Sequence, residues 1–459
     1  MGLTASFWVS CKKYLAAPQN SQESLLTTVA ECQLLLNNYT TMNTGYPSDG
    51  EASADNYFVA GTVFKALSSE DQQIYTWLPG AIRAQSGPQW VNSYQVVVNS
   101  NLVLEALNGI NPASDPSYNS VKGQALFFRA YAFYQIAQLY CKPYTKATAA
   151  QDPGIPIRLS SDINAKSLRG TVQQTYDQIT SDLQAAVNLL PVASPVASTP
   201  NKAAAYSFLA RTYLAMADYT DAGNAANQCL QLQNALIDYN TISKISTVPF
   251  SRFNKEVIFQ SVMAGSSVLV VNNVSVSNNN LLNPQNARID SSLYVSYDNN
   301  DLRKRIFFKG NTGANAGTFK FTGNYDGTPS AILFNGIATD EMYLDRAECY
   351  ARAGNTASAM ADLNALLTTR YATGTFTGLT AADANDALSK ILTERRKELL
   401  FRGLRWTDLR RLNLSSTSQS TLTRTVTGQT YTLPPNDPRY ELLLPADVIA
   451  NSTMPQNPR

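Results

Sequence analysis

The sequence predicts a mainly α-helical protein in which pairs of helices stack into a superhelix, with long irregular loops and a few short strands between them. Three observations support this fold class. Apolar residues recur at intervals of three and four along several long segments, which is the spacing of one buried helix face. A short helical motif occurs three times. Between residues 238 and 335 the helical spacing disappears, and loops rich in asparagine and aromatic residues replace it.

The repeated motif has a large residue, an alanine four positions later and an aromatic residue three positions after that. Its copies centre on Ala130, Ala210 and Ala347. The second and third copies continue with small and apolar residues at the key positions of a tetratricopeptide unit, whereas the first copy breaks off at residues 140–143. Because small residues let two helices approach closely, these copies predict tetratricopeptide-like helix pairs that are interrupted by insertions.

The segment from Ile391 to Leu412 predicts two helices that meet at a sharp corner. Gly403 is expected to end the first helix, because glycine readily adopts the left-handed conformation found after a helix C-terminus. Charged residues crowd around the apolar seam, and two interpretations remain open. They form a solvated face, or they form a partly buried lattice of ion pairs that fixes the corner. The residues of that lattice are two from each helix: Glu394, Glu398, Arg405 and Asp408.

The composition of the chain excludes several classes of function. A net charge of +2 on 459 residues provides no broad field for nucleic acid, so no nucleic-acid partner is expected. The chain has no histidine, which removes histidine-based catalytic triads and histidine metal sites. We expect neither a metal nor a cofactor. Only 15% of the residues are charged, so the surface depends on Asn, Gln, Ser and Thr, and this favours a neutral, hydrogen-bonding ligand.

The five cysteines divide into four structural residues and one N-terminal residue. Cys11 follows an apolar run and a small residue and precedes two lysines, which is typical of a secretory signal that ends at a lipidation cysteine. The alternative is an ordinary N-terminal cysteine. The other four fall in helical patterns and are expected to be small buried thiols: Cys32, Cys141, Cys229 and Cys349.

The corner segment also resembles a known family. Its pattern I-x-x-E-R-R-x-E-L-x-x-x-G-x-R-W-x-D-L-x-R, over residues 391–411, is similar to the C-terminal signature of the SusD/RagB family of outer-membrane nutrient-binding lipoproteins. The helix over residues 172–191 and the chain ending over residues 440–458 resemble the same family. Ser452 stands where the family usually has proline, a departure that concerns only a local turn.

This resemblance implies an organisation and a role. Residues 1–10 are expected to be the tail of a signal peptide, and residues 11–459 a single SusD-like domain with loop insertions near 39–88 and 238–337. Cys11 is expected to carry the lipid that anchors the protein to the outer membrane at the cell surface. The resemblance further implies a non-catalytic protein that captures a nutrient, with an oligosaccharide as the favoured ligand and a peptide as the alternative, and delivers it to a SusC-like TonB-dependent transporter.

The residues expected to contact the ligand come from the two loop insertions. Sugars present apolar faces and hydroxyl groups, so their sites combine aromatic rings with amide, carboxylate and guanidinium groups. We hypothesise that the two regions converge into one binding face; the alternative is that each aromatic residue anchors its own loop. The candidates are Asn43, Tyr46, Asp49, Asp55, Trp77 and Arg83 from the first region and Tyr294, Tyr297 and Tyr325 from the second.

Two functions of other classes remain open. A carboxylate-based hydrolase would need two convergent carboxylates. The loop residues that offer them are Asp49, Asp55, Asp298 and Asp301. A repeat scaffold that binds only protein partners is the second possibility, because stacked helix pairs present extended surfaces.

Overall fold

The computed structural model describes residues 26–265, 286–327 and 332–459. Cys11 and the candidate signal segment lie outside these residues, and so does the second expected strand over residues 268–276. Helices dominate the described chain, as predicted from the sequence. They are α1 (Val29–Leu36), α2 (Tyr39–Met42), α3 (Asp49–Ser53), α4 (Gly61–Ala66), α5 (Ser69–Tyr75), α6 (Gly87–Asn108), α7 (Tyr118–Tyr140), α8 (Val172–Leu189), α9 (Lys202–Ala215), α10 (Tyr219–Leu232), α11 (Ser291–Val295), α12 (Arg303–Ile306), α13 (Thr339–Arg352), α14 (Thr356–Thr368), α15 (Ala384–Glu398), α16 (Arg405–Leu412) and α17 (Ala446–Ala450).

The strands of the described chain are short and pair two by two in antiparallel fashion. They are β1 (Tyr57–Phe58), β2 (Pro153–Pro156), β3 (Arg169–Thr171), β4 (Val257–Phe259), β5 (Arg288–Ile289), β6 (Phe308–Gly310), β7 (Phe319–Phe321), β8 (Ile337–Ala338), β9 (Leu422–Val426) and β10 (Gln429–Leu433). The pairs are β1 with β5, β2 with β3, β4 with β8, β6 with β7 and β9 with β10. The strands therefore hold loops together in pairs, and within the described residues they do not form a continuous sheet.

The long helices form one continuous stack from α6 through α10 to α13, α14 and α15, each packed against its neighbours. The two predicted tetratricopeptide-like pairs are α9 with α10 and α13 with α14. Ala210 and Ala347 are fully buried, as expected of small residues where helices approach. The first motif copy ends where predicted, because α7 stops at Tyr140. Thr171 begins α8 with a capping box in which Gln174 is the partner.

The corner between α15 and α16 differs from the prediction in one detail. Gly403 has the expected positive φ of 73°, but α15 already ends at Glu398 and Phe401 is also left-handed, with φ 56°. The ring of Phe401 is buried against Tyr57 and Phe321, and this packing offsets the cost of the conformation. The corner is therefore a turn with two left-handed residues, and Gly403 lies at its far end.

The charged residues of the corner are buried, so the solvated interpretation is wrong. The lattice interpretation is right about burial and wrong about most partners. Arg395 of α15 reaches Asp408 of α16 at 2.8 Å and joins the two helices. The other charges tie the corner to distant elements. These ion pairs are Glu394 and Glu398 with Arg303, Glu398 with Arg370, and Arg405 with Asp55.

The expectation for four of the cysteines is confirmed, because Cys32, Cys141, Cys229 and Cys349 are buried free thiols. Trp90 and Trp406 are also buried. Asn101 is a satisfied core amide, because its Nδ2 donates to the carbonyl oxygens of Arg158 and Ser160 and its Oδ1 accepts from Arg129. None of the helices in the described ranges combines the length and hydrophobicity that crossing a membrane requires.

Candidate ligand-binding face

The two loop insertions meet in space. Strand β1 of the first region pairs with β5 of the second, with Tyr57 opposite Ile289 and Phe58 opposite Arg288. The backbone N–H of Asp290 then donates to the carbonyl oxygen of Asn56 at 3.0 Å. The structure thus brings together two segments that the sequence separates by about 230 residues.

Most of the predicted contact residues lie beneath this junction rather than on it. Asn43 is buried, and its Nδ2 donates to the carbonyl oxygens of Ser198 and Gln260 at 3.0 and 2.9 Å. Tyr46 is buried, and its hydroxyl donates to the carbonyl oxygen of Met42 at 2.6 Å. Both side chains use their polar atoms to fix their own loop, so the expectation that they line a ligand site is corrected.

The next three candidates form the base of the first region. Trp77 is 3% exposed, and its Nε1 donates to the carbonyl oxygen of Ser53 at 2.9 Å. The Nε and Nη2 of Arg83 donate to the two carboxylate oxygens of Asp49, at 2.9 and 2.6 Å. Burial raises the pKa of Asp49 although Arg83 opposes this shift. Trp77 and Asp49 have no surface left for a ligand, and only the edge of Arg83 is accessible.

Two tyrosines of the second region are also anchors. The hydroxyl of Tyr297 donates to the carbonyl oxygen of Lys397 at 2.6 Å, and that of Tyr325 donates to the carboxylate of Glu256 at 2.5 Å. Both rings are about 1% exposed. For these residues the alternative interpretation, in which each aromatic residue anchors its own loop, describes the structure. An irregular loop has few backbone hydrogen bonds of its own, so large amphipathic side chains hold it in place.

Two of the candidates remain at the surface, Tyr294 and Asp55. The ring of Tyr294 stacks on that of Phe319, with centroids 3.6 Å apart and planes 15° from parallel. Both rings are half-buried. The Nζ of Lys304 lies 5.3 Å from the centre of the Tyr294 ring. This stacked pair is a flat apolar platform at the edge of the β6–β7 hairpin, and the sequence alone did not single out Phe319.

A cleft of about 670 Å³ lies beside α11, between that helix, α15, α16 and the loop that follows α16. Its walls combine leucines with small hydroxyl groups. The hydroxyl-bearing residues are Ser292, Ser296, Ser389, Thr393, Thr417, Ser418 and Ser420. Its charged lining residues are Arg396, Lys397 and Arg405. A cleft with many small donors and acceptors suits a polyhydroxylated ligand.

A second cleft of about 330 Å³ lies between β1 and β9. It is lined by Phe58, Asp55 and Asp290 on one side and by β9 on the other. The two clefts share Ser292 and Arg396, so they adjoin at these residues. The helix α11 also carries Tyr294, and we call the two clefts and the stacked pair of Tyr294 and Phe319 together the loop face.

The charges at the junction of the clefts are largely neutralised by each other. Asp55 accepts from Arg405 at 2.6 Å and lies 3.1 Å from Arg396. Burial acts to raise the pKa of Asp55, but the two guanidinium groups outweigh burial and hold this pKa well below its usual range. Burial also lowers the pKa of Arg396, and its Nε has no hydrogen-bond partner among the described residues. The Nε–H of Arg396 is therefore a polar group at this junction that is not used by another described residue.

The carboxylates considered for a hydrolase are engaged elsewhere. Asp49 and Asp55 are each bound by arginines of the chain, and Asp301 is fully buried against Arg303. Asp298 is exposed, and its carboxylate accepts from the backbone N–H of Asn300. The described residues thus offer Asp298 by itself rather than a convergent pair of free carboxylates.

Comparison with known families agrees with the geometry. A family model described as starch-binding and associating with the outer membrane, SusD-like, matches residues 13–214. A second model, that of the SusD family, matches residues 337–445. The chain belongs to the SusD/RagB family. The unmatched stretch between the two models contains most of the second loop insertion, so the family signature lies chiefly in the helical stack and the corner.

A sequence relative and solved structures extend this assignment. SusD-like protein P2 of Formosa agariphila is 28% identical over 138 residues, which span 30% of this chain and a quarter (25%) of that protein. A SusD superfamily protein from Bacteroides thetaiotaomicron superposes with a TM-score of 0.74 at 22% identity, covering 94% of this chain and 100% of the other. Surface glycan-binding protein A from Bacteroides uniformis gives 0.70 at 15% identity, covering 94% and 99%. At such identities the structural likeness establishes the SusD fold.

Proposed function

We propose that this protein is a non-catalytic carbohydrate-binding lipoprotein of the cell surface, and that the loop face holds an oligosaccharide. The observation that carries the proposal is that the short helix α11 carries the half-buried ring of Tyr294, stacked on Phe319, and also lines two adjoining clefts that are rich in hydroxyl groups. Sugar rings present apolar faces that pack on flat aromatic rings, and their hydroxyls need many small hydrogen-bonding groups.

Family membership supports the finer parts of the proposal. We infer that Cys11 carries a lipid that holds the protein on the outer membrane, and that a SusC-like TonB-dependent transporter receives the ligand. The protein then acts before transport by concentrating ligand at the transporter entrance. Replacing Cys11 with alanine in the chain expressed with its full signal is expected to move the protein from the membrane fraction to the soluble fraction. Membrane retention of this variant would reject the anchor.

The binding site is tested with a glycan and peptide array followed by titration calorimetry on the best ligand. Tyr294→Ala removes one ring of the platform and is expected to weaken glycan binding about five- to thirtyfold, because a stacked aromatic contact at a binding site contributes about 1–2 kcal/mol. The melting temperature is expected to fall little, since the ring is half-exposed.

Tyr350→Ala is the matched control, because Tyr350 is a half-buried tyrosine of α13 in the helical stack. This variant is expected to bind like the parent protein. Equal binding by the parent and Tyr294→Ala proteins would remove the platform from the site. Binding of peptides in preference to glycans would replace the carbohydrate with the alternative ligand class.

A further inference from the structure

A group of basic side chains lies next to the loop face and has no acidic partner among the described residues. Lys309 and Lys320 face each other across the β6–β7 hairpin. The Nζ of Lys309 donates to the carbonyl oxygens of Lys244 and Arg305, which places those residues beside the hairpin. We call this set the basic patch. Its members are Lys244, Lys304, Arg305, Lys309 and Lys320.

None of these five residues forms an ion pair with a carboxylate of the described chain. Lys244, Lys304 and Lys309 instead donate to backbone carbonyl oxygens. Over residues 286–327 there are six basic and four acidic residues. Two of the acidic residues, Asp301 and Asp326, are buried in ion pairs with Arg303 and Arg252. The exposed surface of this segment is therefore positively charged.

The pairing of Lys309 with Lys320 costs the fold stability. Like charges directly opposite each other on antiparallel strands destabilise the pair, and their Cβ atoms stand only about 4.5–5.5 Å apart. Burial lowers the pKa of Lys309, which is the direction expected for an ammonium group that lacks a counterion. If position 309 or 320 served only to stabilise the hairpin, an acidic residue at one of them would stabilise it more, because it would form an ion pair across the strands.

The geometry of the pair suits a bridging anion. An ammonium group has three N–H donors, and Lys309 uses two of them on carbonyl oxygens, so one remains. The side chain of Lys320 makes no hydrogen bond or ion pair within the described residues. One carboxylate or sulfate placed between the two side chains can accept from both, and such charge-assisted hydrogen bonds are about twice as strong as neutral ones.

The basic patch adjoins the platform of the loop face. Lys304 lies over the ring of Tyr294 and brings the patch to the stack. Side chains alternate along a strand, so Lys309 and Lys320 project from the face of the hairpin opposite Phe319. We propose that the ligand of this protein is an acidic glycan, a chain that carries uronate or sulfate groups, with one sugar ring at the Tyr294–Phe319 stack and an acidic group farther along the same chain, across the hairpin, between Lys309 and Lys320. The inference rests on the proposed carbohydrate function and replaces the neutral ligand that the composition favoured.

The test compares two probes with one backbone, dextran and dextran sulfate, by titration calorimetry at 50 and 200 mM NaCl. The parent protein is expected to bind dextran sulfate at least tenfold more tightly than dextran at the lower salt, and this preference is expected to shrink at the higher salt. The double variant Lys309→Gln, Lys320→Gln is expected to lose at least fivefold in affinity for dextran sulfate. Its melting temperature is expected to stay level or rise, because a repulsion has been removed.

The matched control is Lys122→Gln, Lys146→Gln, which removes the same charge from positions on α7 and the loop after it. It is expected to bind dextran sulfate like the parent protein. Equal losses in the patch and control variants would show a general charge effect and overturn the proposal. A third arm uses vesicles containing anionic phosphatidylglycerol, because lipid phosphate offers similar chemistry. Patch-dependent binding to vesicles without binding to dextran sulfate would also overturn the proposal.

The two proposals fail separately. If glycans bind and their binding depends on Tyr294, but dextran sulfate binds no more tightly than dextran, only the proposal of an acidic ligand is wrong. If no glycan on the array binds, the carbohydrate function itself is wrong.

Discussion

Arg303 and Lys304 are adjacent in α12, and they represent the two ways in which this molecule uses positive charge. Arg303 is fully buried and contacts three carboxylates, those of Asp301, Glu394 and Glu398. Lys304 points outward over Tyr294 and meets no carboxylate among the described residues. The first residue fastens the second loop insertion to the corner of the helical stack, and the second belongs to the basic patch.

The same contrast separates the two regions of the protein. In the helical stack and its corner, arginines are buried in pairs with carboxylates that come from distant elements. In the basic patch beside the loop face, the cations meet no carboxylate among the described residues, and aromatic residues anchor the loops. Arg303 and Lys304 therefore differ in role although they are adjacent in sequence, because the backbone directs one side chain inward and the other outward. The predictions below test whether the buried charges hold the fold and the exposed ones do not.

The largest effect is expected for Arg303→Met. Removing this guanidinium leaves buried carboxylates without their main counterion, which typically costs about 3–5 kcal/mol. The free energy of unfolding, measured by urea titration at pH 7, is expected to fall by that amount. Lys304→Met in the neighbouring position is the control and is expected to change it by less than about 0.5 kcal/mol. Similar losses in the two variants would remove the distinction between the regions.

A smaller effect that depends on pH is expected for Glu51→Gln. Glu51 belongs to the first loop region, is buried, and accepts from Asn56 and the backbone N–H of Gly403. Burial raises its pKa from 4.5 to about 7. The folded state therefore holds a proton that the unfolded state releases above pH 4.5, and stability contributed by this group is lost as pH rises from 4.5 through 7.

At about 1.4 kcal/mol per pH unit, the contribution of Glu51 amounts to roughly 3–4 kcal/mol. Glu51→Gln is thus expected to gain stability relative to the parent protein between pH 5 and pH 8, measured by urea unfolding. Glu348→Gln should behave differently, because its carboxylate is held by Arg411 and Arg352. Burial opposes these arginines, yet they lower the pKa of Glu348 to about 2. This variant is expected to be destabilised to the same extent at both pH values.

The smallest effect is expected at the backbone of the corner. Gly403→Ala places a Cβ at φ 73° and 3.3 Å from the Met263 sulfur, and the left-handed conformation costs a non-glycine residue about 1–2 kcal/mol. Unfolding is expected to become easier by that amount. Ala217, in the turn between α9 and α10, has φ 58°. Ala217→Gly is expected to have the opposite sign, a gain of about 0.5 kcal/mol.

The structure could be predicted from the sequence in those parts of the protein where a periodic pattern of apolar residues indicates which positions are buried. The alanine positions of the helix pairs and the left-handed Gly403 follow from local chemistry, and the structure confirms them. The partners of Glu394 and Glu398 did not follow, because Arg303 and Arg370 approach them from elements that no local pattern connects.

The candidate site was harder to predict for a related reason. An aromatic residue in an aperiodic loop has the same sequence signature whether it faces the ligand or the core. Trp77, Tyr297 and Tyr325 proved to be anchors, and Tyr294 remained at the surface. Only the strand register, with Lys309 opposite Lys320, revealed the repulsion on which the acidic-ligand proposal rests.

The pairing of β1 with β5 has a consequence for biogenesis. Its two halves are about 230 residues apart, and at roughly 5–20 residues per second the second half leaves the ribosome about ten seconds or more after the first. A chain that is truncated or still being synthesised has the first helices but lacks the pairing that joins the two loop insertions, so the loop face forms only after the second insertion has been made.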